Sequence, residues 1–206
     1  MIWADTRITR LGLDLDNTVI DYTRAYRALG PEFGVLPEQA TRSGIRSTLR
    51  SSGPESYEWQ HFQSRLYTEG LKYAQPAKGL TSLLSTCWER GIIVEIVSHK
   101  TPRSPTAFGS LDLHKPARAW LEQHLSKLEG LELDHIQFCE TLTQKVEYIN
   151  RRRYHVFVDD LIEVLEHPGW PTETVGVLYS TSMETSEGPR PIADFPTIER
   201  WIVEAH

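Results

Sequence analysis

The stretch RLGLDLDNTVIDY, residues 10–22, opens like a buried strand and then breaks its own pattern. Leu11, Leu13 and Leu15 supply an apolar run, but Asp14 and Asp16 interrupt it just where Asn17 and Thr18 signal a turn. Side chains of a strand alternate between its faces, so carboxylates at 14 and 16 point the same way. Two like charges about 4 Å apart repel by roughly 4 kcal/mol at an effective dielectric near 20. A first strand that ends in this way needs a cation beside it.

Working outward, short apolar runs recur between helical patterns. ITRLGLDL (8–15), GIIVEIVS (91–98), HIQFCE (135–140), YHVFVDD (154–160) and TVGVLYS (174–180) read as strands. They are dense rather than alternating, which is the mark of strands buried on both faces of a parallel sheet. Helical patterns lie at 79–91, 115–130, 142–152 and 195–205, with Gly91 and Gly130 as stops and Pro196 near the start of the last. The alternation predicts a three-layer α/β fold with a Rossmann-like parallel sheet. One interval breaks it. Residues 21–76 carry helical segments punctuated by Gly-Pro and Ser-Gly-Pro but no strand pattern, and they are too long for a loop. The expected division is a core of 1–20 and 77–206 with a small helical insertion over 21–76, overhanging the Asp-rich turn.

Bulk properties exclude several classes. A chain of 206 residues supports one core, or one core with a small module. It is 39% hydrophobic and 24% charged, with no apolar run long enough to span a membrane. MIWADTRITR lacks the features of a secretory signal, and Cys87 and Cys139 sit in apolar patterns without metal-type spacing. Core thiols of this kind suit a reducing cytoplasm. With a formal charge of −6 and only RRR (151–153) as a basic block, a solvated helix end, nucleic acid is not expected as a partner.

The strand ends carry the chemistry. Ligands of an open parallel sheet bind beyond the carboxyl ends of its strands. The first strand ends in Asp14 and Asp16, and the second in Ser98 followed by His99 and Lys100. The third ends in Glu140 and Thr141, with Lys145 a turn beyond, and the fourth in Asp159 and Asp160. Lys145 offsets one of these charges. Several hard oxygens without a His/Cys cluster call for a divalent ion, and Mg²⁺, which favours phosphate as a further ligand, fits best.

These residues resemble the haloacid dehalogenase superfamily. LDLDNTV looks like its first motif, Asp-x-Asp-x-Thr after an apolar strand, and VEIVS is similar to the second. Lys145 fits the third, VFVDD resembles the double-aspartate form of the fourth, and the insertion falls where many members carry a cap. The resemblance spans residues 8 to 180 and implies a phosphatase with an aspartyl-phosphate intermediate, acting on a small phosphorylated metabolite. In it Asp14 is the nucleophile and Asp16 the general acid and base. Ser98 and Lys145 hold the phosphoryl oxygens. Mg²⁺ is bound by Asp14, the Asp16 backbone carbonyl and Asp159, with Asp160 behind them orienting Lys145.

Blander readings stand beside these. Asp-x-Asp followed by Asn-Thr also describes a capped turn, and Ser98 taken singly serves as well as a cap. Lys100 and Lys115 compete with Lys145, which is favoured because it follows the third strand and precedes the double aspartate. Tyr22, Tyr26, Trp59, His61 and Phe62 have the spacing of internal packing. A phosphosugar mutase or other phosphotransferase shares the covalent step. A receiver-type phosphoacceptor module would carry its acidic pair early and its acceptor in the middle, the reverse of this order. A catalytically silent relative would be expected to lack one of the key side chains. Dehalogenase chemistry is disfavoured by Asp16.

Overall fold

The computed structural model describes residues 8–50, 56–128, 131, 136–181 and 191–205. The expected features at residues 1–7, His135 and Gly130, and most of the 180–191 loop, lie outside these. Strands β1 (Arg10–Leu13), β4 (Ile93–His99), β5 (Ile136–Cys139), β6 (Val156–Asp159), β7 (Val175–Tyr179) and β8 (Ile192–Ala193) form one sheet in the order β5-β4-β1-β6-β7-β8. Every pairing in it is parallel. Two-residue strands β2 (Ile20–Asp21) and β3 (Gln75–Pro76) pair separately. The α/β architecture is the expected one. β2, β3 and β8 are additions, because two residues make no apolar run to read.

The first strand lies at the centre, and its register carries the design. Leu13 pairs with Ile96 of β4 and with Val158 of β6, which sets Asp14 level with Asp159. β1 is shorter than the expected 8–15, yet the ladder continues one step further, where Asp14 N donates to Val158 O at 2.8 Å. It stops there because Asn17 takes a left-handed φ of 64°, which Asn tolerates better than most residues. Gly12 marks a close approach between β1 and its neighbour. A Cβ there would collide with the Phe157 ring and touch Tyr154.

Helices α4 (Leu80–Glu89) and α8 (Phe195–Glu204) pack on one another, and Gly91, at φ 67°, follows the end of α4 as expected. Asp194 caps α8 by accepting from Thr197 N at 3.0 Å. Helix α6 (Leu142–Arg152) covers the other site-bearing part of the sheet, and a one-turn α7 (Ile162–Leu165) follows β6. Val97, Cys139, Val146, Ile149, Tyr154, Phe157 and Val164 form the core beneath them. Both cysteines are buried free thiols.

The chain divides into two compact units. The larger comprises residues 1–19, 76–99 and 125–206 where described, and the smaller comprises 20–75 and 100–124. The smaller unit contains α1 (Thr23–Leu29), α2 (Arg42–Leu49), α3 (Tyr57–Leu66) and most of α5 (His114–Leu125). It differs from the expected insertion by gaining residues 100–124, and the reason is aromatic packing. Phe108 stacks on His61 at 5.1 Å between ring centroids and lies 4.9 Å from Tyr57, while Lys100 Nζ sits 3.5 Å above Tyr67. Tyr22, Tyr26 and Phe62 are buried within the unit, in keeping with the packing reading of their spacing. Among the described residues no helix is long and apolar enough to cross a membrane.

Candidate active site

Helix α6 places the cation. Its first turn is fixed by a capping pair: Thr141 Oγ1 accepts from Gln144 N at 3.1 Å, and Gln144 Oε1 accepts from Glu140 N at 3.0 Å. One residue on, Lys145 lies on the buried face with Val146 and Ile149. Its ammonium is 1% exposed and bridges two strand ends, donating to Asp14 Oδ1 at 2.5 Å and Asp159 Oδ2 at 2.6 Å. The other Asp159 oxygen accepts from Leu161 N at 3.0 Å, which orients the carboxylate.

Carboxylate oxygens of Asp14, Asp159 and Asp160 lie within 4.8 Å of one another. Asp14 and Asp159 are buried; Asp16 and Asp160 are half-buried. Burial is the main force raising the Asp14 carboxyl from its ordinary 3.8 to about 7; Lys145 opposes it, and Asp159 and Asp16 add to it. For Lys145, burial disfavours the charged form, but Asp14 and Asp159 outweigh it and push its pKa up. The lysine therefore stays protonated, and one ammonium does not offset the acids around it. Ser98, 1% exposed on β4, and Thr18, fully buried, have side-chain hydroxyls with no hydrogen-bond partner among the described residues. Buried hydroxyls left unmatched cost about 1–3 kcal/mol each, so a ligand that engages them is favoured.

The donor set fits a hard divalent cation. It is all oxygen and carries more negative charge than Lys145 neutralises, and His99 is turned elsewhere, its Nε2 lying 3.2 Å from Glu140 O. Chemically, a carboxylate held by an ammonium beside an unspent hydroxyl can receive a dianionic group such as phosphoryl.

Each residue singled out from sequence has a definite place. Asp14, Lys145 and Asp159 are joined directly, and Ser98 is the last residue but one of the neighbouring strand β4. Asp160, expected behind the metal ligands, contributes to the close carboxylate group, whereas the Asp16 carboxylate is not part of it. Lys100 belongs to the smaller unit and Lys115 is exposed near the start of α5. Sequence reasoning overlooked Glu95, buried on β4 and paired with Arg10 and Arg152. A lone Glu inside GIIVEIVS was the signal available.

No protein-family model matches the sequence, and no curated protein is significantly similar to it. Solved structures are similar over nearly the whole chain. A protein described as a haloacid dehalogenase-like hydrolase, from Bacteroides fragilis, matches with TM-score 0.60 and 13% identity, over 93% of this chain and 99% of that one. A HAD family hydrolase from Deinococcus radiodurans, with bound phosphate and sodium, matches with TM-score 0.56 and 13% identity, over 98% and 97%. A D,D-heptose bisphosphate phosphatase from B. bronchiseptica, complexed with magnesium and phosphate, matches with TM-score 0.56 and 10% identity, over 97% and 100%.

Proposed function

For a chain with the haloacid dehalogenase-like fold, we propose a Mg²⁺-dependent phosphatase that hydrolyses a small phosphomonoester through an aspartyl-phosphate. The observation that carries this reading is the buried Lys145 ammonium bridging Asp14 and Asp159. A lysine so placed offsets charge on the attacking carboxylate and on the incoming phosphoryl group. The magnesium and phosphate in the B. bronchiseptica phosphatase support the choice of ligands.

In this reading Asp14 attacks phosphorus, forming the acyl-phosphate bond as the ester P–O bond breaks, and Asp16 gives its proton to the leaving oxygen. Asp16 then takes a proton from water, whose oxygen attacks the phosphoryl group. Phosphate leaves and Asp14 is regenerated. Lys145 and the Ser98 hydroxyl hold the phosphoryl oxygens. Asp14 and Asp159, with Asp160 beside them and the Asp16 backbone carbonyl, would hold Mg²⁺, which would supply the remaining positive charge.

Phosphate release from an aryl phosphate should require Mg²⁺, stop with a chelator and return when the ion is restored. Undiminished turnover in chelator-treated protein would overturn the metal assignment. A panel of phosphorylated metabolites, including trial acceptor alcohols, then separates hydrolysis from phosphoryl transfer.

A second test needs no substrate. The folded-state pKa of Asp14 lies above its unfolded value of 3.8, at about 7. Stability associated with its protonated form is therefore complete below the unfolded value and is lost as pH rises through about 7. A cation restores what ionisation removes, so Mg²⁺ should raise the Tm more at pH 8 than at pH 6. At about a hundredfold excess over its dissociation constant, binding adds about 2.7 kcal/mol, or roughly 5–10 °C for a chain of this size. Equal shifts at the two pH values, measured by calorimetry, would contradict the charge argument.

A further inference from the structure

Glu95 is 1% exposed in the middle of β4, level with Gly12 of β1. Taking a carboxylate out of water costs several kcal/mol, and an apolar residue of similar size would serve stability as well or better. Two arginines hold it. Arg10, the first residue of β1, donates from Nη1 to Oε2 at 3.2 Å. Arg152, the last residue of α6, donates from Nε to Oε2 at 3.1 Å and from Nη2 to Oε1. Tyr154, just before β6, is buried, and its hydroxyl, which has no hydrogen-bond partner among the described residues, has its pKa raised by burial first and by the Glu95 charge next.

Two of these groups stand upstream of a site residue: β1 opens at Arg10 and leads into Asp14, and β6 follows Tyr154 and ends at Asp159, while Glu95 lies three residues before Ser98 on β4. Helix α6 runs in the opposite sense, from Lys145 to Arg152. Seven residues separate those two, about two turns and about 10 Å, so both lie on the face turned to the sheet. A helix held by an ion pair at each end cannot slide along the sheet without breaking one of them. Misplacement of a reacting group by about 1 Å can cost about a hundredfold in rate.

We propose that Glu95 is a positioning residue that ties β1 and α6 to β4 through Arg10 and Arg152, and so fixes the depth at which α6 presents Lys145 to Asp14 and Asp159. The effect on turnover rests on the phosphatase reading; the effect on Lys145 does not. Wild-type turnover with Mg²⁺ tests that reading by itself.

The experiment compares Glu95→Gln, Arg152→Lys and Arg152→Met with wild type, each well below its Tm. The readouts are kcat, KM and the ¹⁵Nζ ammonium resonance of Lys145. Glu95→Gln should lower kcat about ten- to hundredfold with KM held within about twofold, and should shift the Lys145 resonance. Arg152→Met should do likewise, and Arg152→Lys should recover part of both. A purely stabilising role would leave the folded variants with wild-type kcat and resonance. Either readout unmoved in Glu95→Gln and Arg152→Met overturns the proposal. Should Glu95→Gln fail to fold, the Arg152 pair decides on the same criteria, since that side chain is 33% exposed and its loss leaves Arg10 on Glu95.

Discussion

Asp14→Asn should abolish phosphate release, by about 10⁴-fold or more, while leaving the metal-free fold at least as stable as wild type at pH 8. The first half follows from removing the proposed nucleophile, whose loss in enzymes with covalent intermediates is of this order. The second follows from burial. The Asp14 carboxyl is raised to about 7, so at pH 8 it is ionised against its environment, and an uncharged isostere avoids that cost. An amide oxygen still accepts from Lys145, which keeps Asp159 as its second partner. Trapping with labelled substrate should yield no phosphoenzyme from the variant. Asp16→Asn should reduce turnover by about 10²–10⁴, and less with an activated leaving group that needs little protonation. Near-normal turnover of Asp14→Asn would rule out the covalent route.

Lys145→Ala should be damaging in both respects. It deletes the lysine that bridges Asp14 and Asp159 and leaves two buried acids facing each other. Breaking a buried pair from one side costs about 3–5 kcal/mol, roughly 6–20 °C in Tm for a protein of this size. The loss should be larger at pH 8 than at pH 5, because protonation of Asp14 relieves the repulsion. Turnover should fall about 10²–10³-fold, as when a preorganised donor to a developing charge is removed. Thermal melts across pH check the first claim without any assay. A Tm unchanged at pH 8 would mean that the ammonium does not hold the acids together.

The placement of the candidate site's residues on one rim was legible from sequence because they mark the boundaries of elements. Asp14, Ser98 and Asp159 stand at or next to the ends of apolar runs, and α6 falls on the expected 142–152. A parallel sheet gathers such ends on one rim, so their order along the chain stands in for their proximity. What stayed hidden depends on register. Glu95 looks like one polar residue within a strand until pairing sets it level with Gly12 and brings Arg10 and Arg152 to it. The distinction between Asp16 and Asp160 is of the same kind. Spacing assigns both to the rim, but only the turn geometry determines which carboxylate joins Asp14 and Asp159. Nothing local in residues 100–124 announces that Phe108 packs on Tyr57 and His61, which groups that segment with the smaller unit.

The two-segment origin of the smaller unit bears on how the protein is made. A ribosome releases the chain from its N-terminus, and domains tend to fold as they emerge. Everything in the helical unit has been synthesised by residue 124, before Lys145 and Asp159 exist. The larger unit begins first and finishes last, since β1 must wait for β6, its neighbour on one side, until residue 159. During that interval Asp14 is a nascent acid without its lysine. Its charge then disfavours premature burial of the first strand, so closure of the central sheet is coupled to the arrival of α6.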